Sequence, residues 1–531
     1  LNASRGSIPA RVVIGVTGHR QLDDDAVYTD KITEIVEKIA RMIPPLNNTP
    51  LVYVVLSPLA EGADRIVARE ILKQEDSRLE VVLPFEQGVY AQDFKTPASR
   101  EEFREFLTRA KKVVTLSGVE NREDGYLRAG RYVVDNCDIL IALWDGKESA
   151  GTGGTAEVVK YARSSGCPLF WLNTSRKIQA IFEKGLGLNQ QSYLQLEEFN
   201  SEKIKSARCE LEIEKYRENL NSKADETNFS SDLLPWIYEN FLPRFVRTDL
   251  LAEKYQKLYF TAGSWVYALA ALAVAAVTFQ ILFLPHIQGI AWIEVLCMLG
   301  VIAIFGIGNR KRWHLKWIDY RFLAERLRSA IFLALTGMNI TAMRPPRHLS
   351  LSYSSQDWMV SAFSSVWSEL QNQNNDANST SNLTEQKAFL TCAWIDEQID
   401  YHRKTRVQHH LRNHLLLYGG NVLFGLTLFM AFLHVFHVGS ELWNKIFGFM
   451  AIVCPAAAAA LGAIRTHREY LRNAKRSGEM VRHLEELKIQ LQKAQNPEQF
   501  YRCVREIEET MLHENEDWRI VVRFHELEPP A

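Results

Sequence analysis

At 531 residues the chain is long enough for roughly three domain-sized units, and its mean hydropathy of −0.16 lies between that of a soluble enzyme and a pure transporter. Apolar residues must therefore be unevenly spread. With 62 Lys+Arg against 63 Asp+Glu, no global field points to a nucleic-acid polymer as partner. The seven cysteines are scattered, without a CxxC pair or metal-type spacing, which excludes a structural zinc site and predicts a reducing compartment.

In chain order, the first apolar run, Val12 to Val16, is too short for a signal-peptide core and is closed by Gly18-His19-Arg20, so the first domain is expected in the cytoplasm. Strand-like runs follow at Arg11–Thr17, Leu51–Ser57, Leu79–Leu83, Lys112–Leu116, Asp138–Trp144 and Pro168–Leu172, with helical patterns between them. This alternation predicts an α/β fold: a Rossmann-like, doubly wound and mainly parallel sheet over residues 1–175. Such a sheet binds ligands beyond the carboxyl ends of its strands, so the residues just after each run are the candidates.

Three loops qualify. After the first strand stand Gly18, His19 and Arg20, a glycine that lets backbone approach a ligand and an arginine with planar donors for phosphate. After the second come Ser57, Glu61, Gly62 and Asp64, a turn into a helix whose first amides favour an anion; Asp64 reads equally well as a helix cap. After the fifth come Gly151, Thr152, Gly153, Gly154 and Thr155, opening the helix that carries Glu157, and glycines immediately before a helix start are the strongest nucleotide signal in the chain. No GxxxxGK[ST] loop, GxGxxG fingerprint or HExxH pair occurs, so the usual NTPase, dehydrogenase and zinc-protease readings lack their residues. No catalytic residue and no metal ligand is assigned; His410 and His414 have metal spacing but no third ligand.

A helical linker is expected over 176–254. It is followed by an all-α membrane region with four transmembrane helices and long cytoplasmic helices, since apolar runs at 261–284, 290–307, 415–436 and 446–464 are long enough to cross a bilayer. They form two hairpins, within 255–345 and 396–531, separated by a linker region at 346–395 that follows the break at Pro345-Pro346 and contains the polar stretch Gln371–Thr384. Lys and Arg crowd the outer ends of the hairpins (Arg310, Lys311 and Arg312; Arg403, Lys404, Arg406 and Arg412; Arg465 and Arg468), whereas the two connectors hold only Lys445. Both termini are therefore expected on the cytoplasmic side of the plasma (inner) membrane. Glu294 is the one acidic residue inside a span and reads as interfacial. The recurrence of "AERLR" at 324–328 and "GEMVR" at 478–482 points to a weak internal duplication.

"IGVTGHR", "SPLAEGADRIVA" and "DILIALWDGKESAGTGGTAEVV" together resemble the SLOG superfamily, the nucleotide-binding fold of DprA-like and LOG-like proteins, and the resemblance covers roughly the first 175 residues. The membrane part, through its basic helices, "YRFLAERLR" and "HENEDWRIVVRFHELE", resembles the SLATT type, the two-span effector that associates with SLOG and SMODS components of prokaryotic conflict systems. This resemblance implies a nucleotide second messenger, with an ADP-ribose-type ligand favoured and no other cofactor, acting on a pore-forming or bilayer-disrupting homo-oligomer, with a role in anti-phage defence. TRPM channels, whose cytoplasmic regions are SLOG-like, show a similar logic. LOG enzymes use a PGGxGTxxE motif; here Glu157 falls two residues after Thr155 rather than three, and no proline precedes the glycines. On a helix that offset turns the carboxylate by about 100°. The expectation is thus a ligand-gated channel or membrane-disrupting effector rather than an enzyme, with a membrane-tethered LOG-type hydrolase or a regulated small-solute transporter as alternatives.

Overall fold

The computed structural model describes residues 5–22, 25–119, 121–148, 154–175, 180–184, 190–337, 358–374 and 382–523. The chain forms two compact units, Leu1–Lys203 with Pro345–Ala377 and Ile204–Arg344 with Asn378–Ala531.

The first unit is a sheet of β1 (Ala10–Gly18), β2 (Leu51–Ser57), β3 (Ser77–Leu83), β4 (Lys112–Thr115), β5 (Ile139–Trp144), β6 (Leu169–Asn173) and β7 (Ala180–Glu183), in the order β4-β3-β2-β1-β5-β6-β7. All pairs are parallel except β6 with β7. The helices are α1 (Asp25–Met42), α2 (Ala63–Ile71), α3 (Gln87–Tyr90), α4 (Pro97–Arg109), α5 (Arg122–Asn136), α6 (Thr155–Ser165), α7 (Gln190–Ser201) and, from much later in the chain, α13 (Trp358–Asn374). Central strands read as continuous apolar runs because both faces are covered. Ile32, Ile35, Ile66, Val67 and Phe103 of α1, α2 and α4 pack on one face, and Val133, Val158, Val159 and Ala162 of α5 and α6 on the other.

Two elements were not expected. The antiparallel strand β7 is only four residues long, too short for a readable alternation; Arg163 fixes it to α6 through paired bonds of 2.8 and 2.7 Å to Glu183. Within the interval 346–395, expected as a linker, α13 forms and buries Trp358, Ala362, Val366 and Leu370 at helical spacing. It packs on β1 and α7, with Ser365 Oγ donating to Pro9 O at 2.8 Å and Arg78 paired to Glu369 at 3.0 Å. The Pro345-Pro346 break lies outside the described residues.

The second unit is helical: α8 (Ser206–Glu226), α9 (Leu233–Trp236), α10 (Leu242–Phe283), α11 (Ala291–Arg310), α12 (Trp313–Leu335), α14 (Leu383–Leu390), α15 (Asp396–Val435), α16 (Glu441–His467), α17 (Tyr470–Lys493) and α18 (Pro497–Arg523). Four helices are long and apolar enough to cross a membrane, and their outer faces carry Trp265, Leu272, Leu296, Ile302, Phe424 and Leu428 exposed, as lipid contact requires. The chain is a membrane protein. Span one has no separate start at 261: α10 runs unbroken from Leu242 because Pro243 sits in its first turn, where proline is tolerated, and Phe245, Leu251 and Tyr255 bury against the rest of the unit. Glu294 lies exposed in the first turn of α11.

The two hairpins share a plan. A π-helical turn precedes each long helix, Ile237–Phe241 before α10 and Thr391–Ile395 before α15. Each hairpin is followed by one residue in left-handed conformation, Arg312 at φ 52° and Glu469 at φ 48°, that starts the next helix. In the register that equates these two residues, buried Trp317, Tyr320, Leu323, Leu327 and Ala330 of α12 fall on buried Ala474, Ser477, Met480, Leu484 and Leu487 of α17. The "AERLR" and "GEMVR" match is about one helical turn out of this register. The duplication is carried by burial, not by those letters.

The hairpins meet where His467 of α16 packs among Tyr259, Phe260 and Tyr267 of α10, at ring distances of 5.0, 5.7 and 6.1 Å. Arg468 then bonds Ser264 Oγ at 3.1 Å and Phe260 O at 3.3 Å. A methyl group on Gly263 would overlap the His467 imidazole. Gly263→Ala is expected to cost about 1–3 kcal/mol, seen as a lower thermal midpoint of the detergent-solubilised protein, and His467→Ala should restore part of the loss. A neutral Gly263→Ala would contradict this packing.

Candidate functional site: a cavity at the carboxyl edge of the sheet

Strand order reverses between β1 and β5, because β2, β3 and β4 extend to one side of β1 while β5 and β6 extend to the other. A crevice opens at such a switch point. Here it is a cavity of about 440 Å³, within the usual range of small-molecule sites.

The loop after β1 forms its floor. His19 N donates to Leu143 O at 3.0 Å, and His19 O accepts from Ala63 N at 3.1 Å, which joins this loop to the start of α2. A side chain on Gly18 would collide with Ala63 and come within 2.8 Å of Leu143 O, so Gly18 is required for packing rather than for ligand approach. Gly62 has φ +77°, and a Cβ there would lie 2.6 Å from both His19 O and Arg20 O. The first amide of α2, expected to serve an anion, is thus taken by the protein.

The loop after β2 is folded on itself. Asp64 Oδ2 accepts from Ser57 Oγ at 3.0 Å and from Ala60 N at 3.1 Å, and Leu59 N donates to Ser57 Oγ at 2.9 Å. Asp64 therefore fastens the loop; the N-cap of α2 is Gly62, without a side-chain cap bond. Leu59 is held at φ 59°, a left-handed conformation costly for a leucine. Arg65 compensates: Nε donates to Leu59 O at 3.1 Å, Nη1 to Ser99 O at 3.0 Å and to Glu102 at 2.8 Å, and the guanidinium lies over Phe94 at 4.5 Å. Glu61 is engaged by the Ser99 hydroxyl.

The lining brings together Gly18, His19, Arg20, Asp64, Gly154 and Thr155 of the expected residues. Ser57, Glu61, Gly62 and Glu157 are not part of it, and Gly151, Thr152 and Gly153 lie outside the described residues. Gly154 caps α6, whose first residues Thr155 and Ala156 reach the cavity, while Glu157, one position further on, does not. Arg20 is exposed, 5.0 Å over the Tyr126 ring. His19 Nε2 accepts from Asp145 N at 3.1 Å.

Sequence reasoning missed the aromatic residues Tyr90, Tyr126 and Trp144 and the lining residues Lys147 and Glu148. Tyr90 ends α3 and Tyr126 lies on α5, beyond the ends of β3 and β4, so a rule confined to the residues just after each strand does not reach them. The lining combines aromatic side chains, the Arg20 guanidinium, the start of α6 and the buried Asp64 carboxyl, groups of the kinds that can hold a base and a phosphate. Val158, not a glutamate, stands three residues after Thr155, the position the LOG motif gives its carboxylate.

Burial raises the Asp64 carboxyl from 3.8 to about 7, against the opposing bonds from Ser57 and Ala60 and the nearby charge of Arg20. The folded state thus holds the proton more tightly than the unfolded chain. The stability this gives is complete below about pH 4 and is lost as pH rises through about 7. Asp64→Asn is expected to match the wild type near pH 4 and to exceed its thermal midpoint at pH 8, by roughly several degrees. Identical midpoint-against-pH curves would remove Asp64 as the titrating group.

No curated protein matches the chain. Residues 393–518 match the family described as SMODS and SLOG-associating 2TM effector domain 1, a stretch that covers the second hairpin from the end of its π-helical turn through α17 and most of α18.

Proposed function

We propose that this chain is a nucleotide-gated membrane effector of conflict or anti-phage type. A nucleotide signal, ADP-ribose-type favoured, binds the N-terminal cavity, and the membrane helices then open a pore or disrupt the bilayer. The observation that supports it best is the convergence of Arg20, the α6 start, Asp64 and the Tyr126 and Trp144 rings in one cavity, in the same chain as a matched two-span effector domain. Charge around the spans supports placing both termini in the cytoplasm of a bacterial-type inner membrane. Four helices do not enclose a pore of themselves, so the effector acts as a homo-oligomer. Gating requires tighter ligand binding to the open state than to the closed one.

Titration calorimetry of the whole protein in nanodiscs with ADP-ribose, NAD and cyclic nucleotides should show saturable binding to one of them, lost in Gly154→Val. Binding unchanged by Gly154→Val would show that the site lies elsewhere. Steady release of free base would assign the cavity to a hydrolase instead.

A further inference from the structure

The membrane unit contains a second and larger cavity, about 1440 Å³, between α10, α12, α15, α16 and α17. It sits where apolar runs end, for Thr261 of α10, Asn413 of α15 and Ala463 of α16 all line it. Eight Lys or Arg side chains face it against two glutamates. Both glutamates are already engaged, Glu325 by Arg321 and Arg328 and Glu469 by Arg472. Among the described residues no carboxylate pairs with Arg412, Arg465 or Lys475. His409, also in the lining, keeps a buried Nδ1 without a hydrogen-bond partner.

Basic residues at span ends are ordinary, because they set orientation by their count along the chain. That role does not require them to share a surface. Here helices distant in sequence turn their cations onto one concave wall, where like charges repel unless an anion fills the space. Tyr259, Tyr267 and Trp317 line the same cavity, and such rings favour the level of lipid headgroups. Basic pockets between membrane helices suit phosphorylated headgroups.

We propose that this cavity is a phosphoryl-binding site, filled by the headgroup of an anionic lipid or by a soluble phosphate compound. The proposal stands whether or not the N-terminal cavity binds nucleotide. The test is equilibrium binding of a fluorescent short-chain phosphatidylglycerol to the full chain in neutral detergent, with unlabelled phosphatidylglycerol, phosphatidylcholine and inorganic diphosphate as competitors. Phosphatidylglycerol should compete and phosphatidylcholine should not. Arg412→Gln and Lys475→Gln, both exposed positions, should each weaken binding roughly fivefold, with thermal midpoints in neutral detergent unchanged. Competition by diphosphate supports a soluble phosphate as occupant; its failure to compete supports the lipid. Equal competition by phosphatidylcholine, or wild-type affinity in both variants, would overturn the proposal.

Discussion

Arg20→Ala is expected to weaken nucleotide binding roughly 10- to 100-fold, the loss of one charge-assisted contact to phosphate, while the thermal midpoint of the unliganded protein stays nearly constant. The two readouts separate because of where Arg20 sits. Arg20 is an exposed residue whose guanidinium rests on the Tyr126 ring at the cavity rather than in the core, so truncation removes little packing. Arg20→Lys should recover only part of the affinity, since an ammonium keeps the charge but not the planar pair of donors. Titration calorimetry checks both. Wild-type affinity in Arg20→Ala would mean that phosphate is held elsewhere.

Arg65→Ala has the opposite signature, a large loss of stability. Arg65 is 2% exposed, and its bonds to Leu59 O, Ser99 and Glu102 hold the loop that Asp64 fastens. Removing the guanidinium leaves the buried Leu59 carbonyl unpaired, the partly buried Ser99 and Glu102 without their partner and the left-handed Leu59 unsupported, an expected cost of about 3 kcal/mol. Arg65→Met, which keeps volume without the bonds, should recover little. Hydrogen exchange should speed up across residues 57–71 of the full chain, and ligand binding should weaken with it. A change below about 0.5 kcal/mol would place Arg65 with ordinary surface residues.

Much of the architecture was legible because the physics is local. A parallel strand covered on both faces must be a short continuous apolar run, and Leu51–Ser57 and Ile139–Trp144 are such runs in the letters and in the fold. A bilayer demands long uncharged helices, and four helices long and apolar enough to cross it contain the expected runs almost entirely, although α10 and α15 begin well before theirs. What stayed hidden depends on partners remote in sequence. Trp358, Ala362 and Val366 make a helix only because β1 and α7 receive them. Cys137 and Cys167, scattered in the sequence, lie with their sulfurs 3.7 Å apart because β5 and β6 start side by side.

The candidate site divides the same way. Arg20, Gly154 and Thr155 followed from the strand-end rule and line one cavity. Gly18 was noticed as a point of ligand approach, but its close neighbours are Ala63 and Leu143; Gly62, read in a tight turn, lies against the backbone of His19 and Arg20. Ser57 lay one bond too deep, behind Asp64. Tyr90 and Tyr126 carried no motif, and only the topology brings them to the cavity.

In the proposed function, gating is the step that joins the cavity to the membrane helices, and dye release tests it most directly. Full-length protein in dye-loaded liposomes should stay sealed alone and leak when the nucleotide that binds the cavity is added, whereas Arg20→Ala should leak only at correspondingly higher ligand concentrations. Leakage that is the same with and without that nucleotide, or sealed vesicles under saturating ligand, would contradict the account.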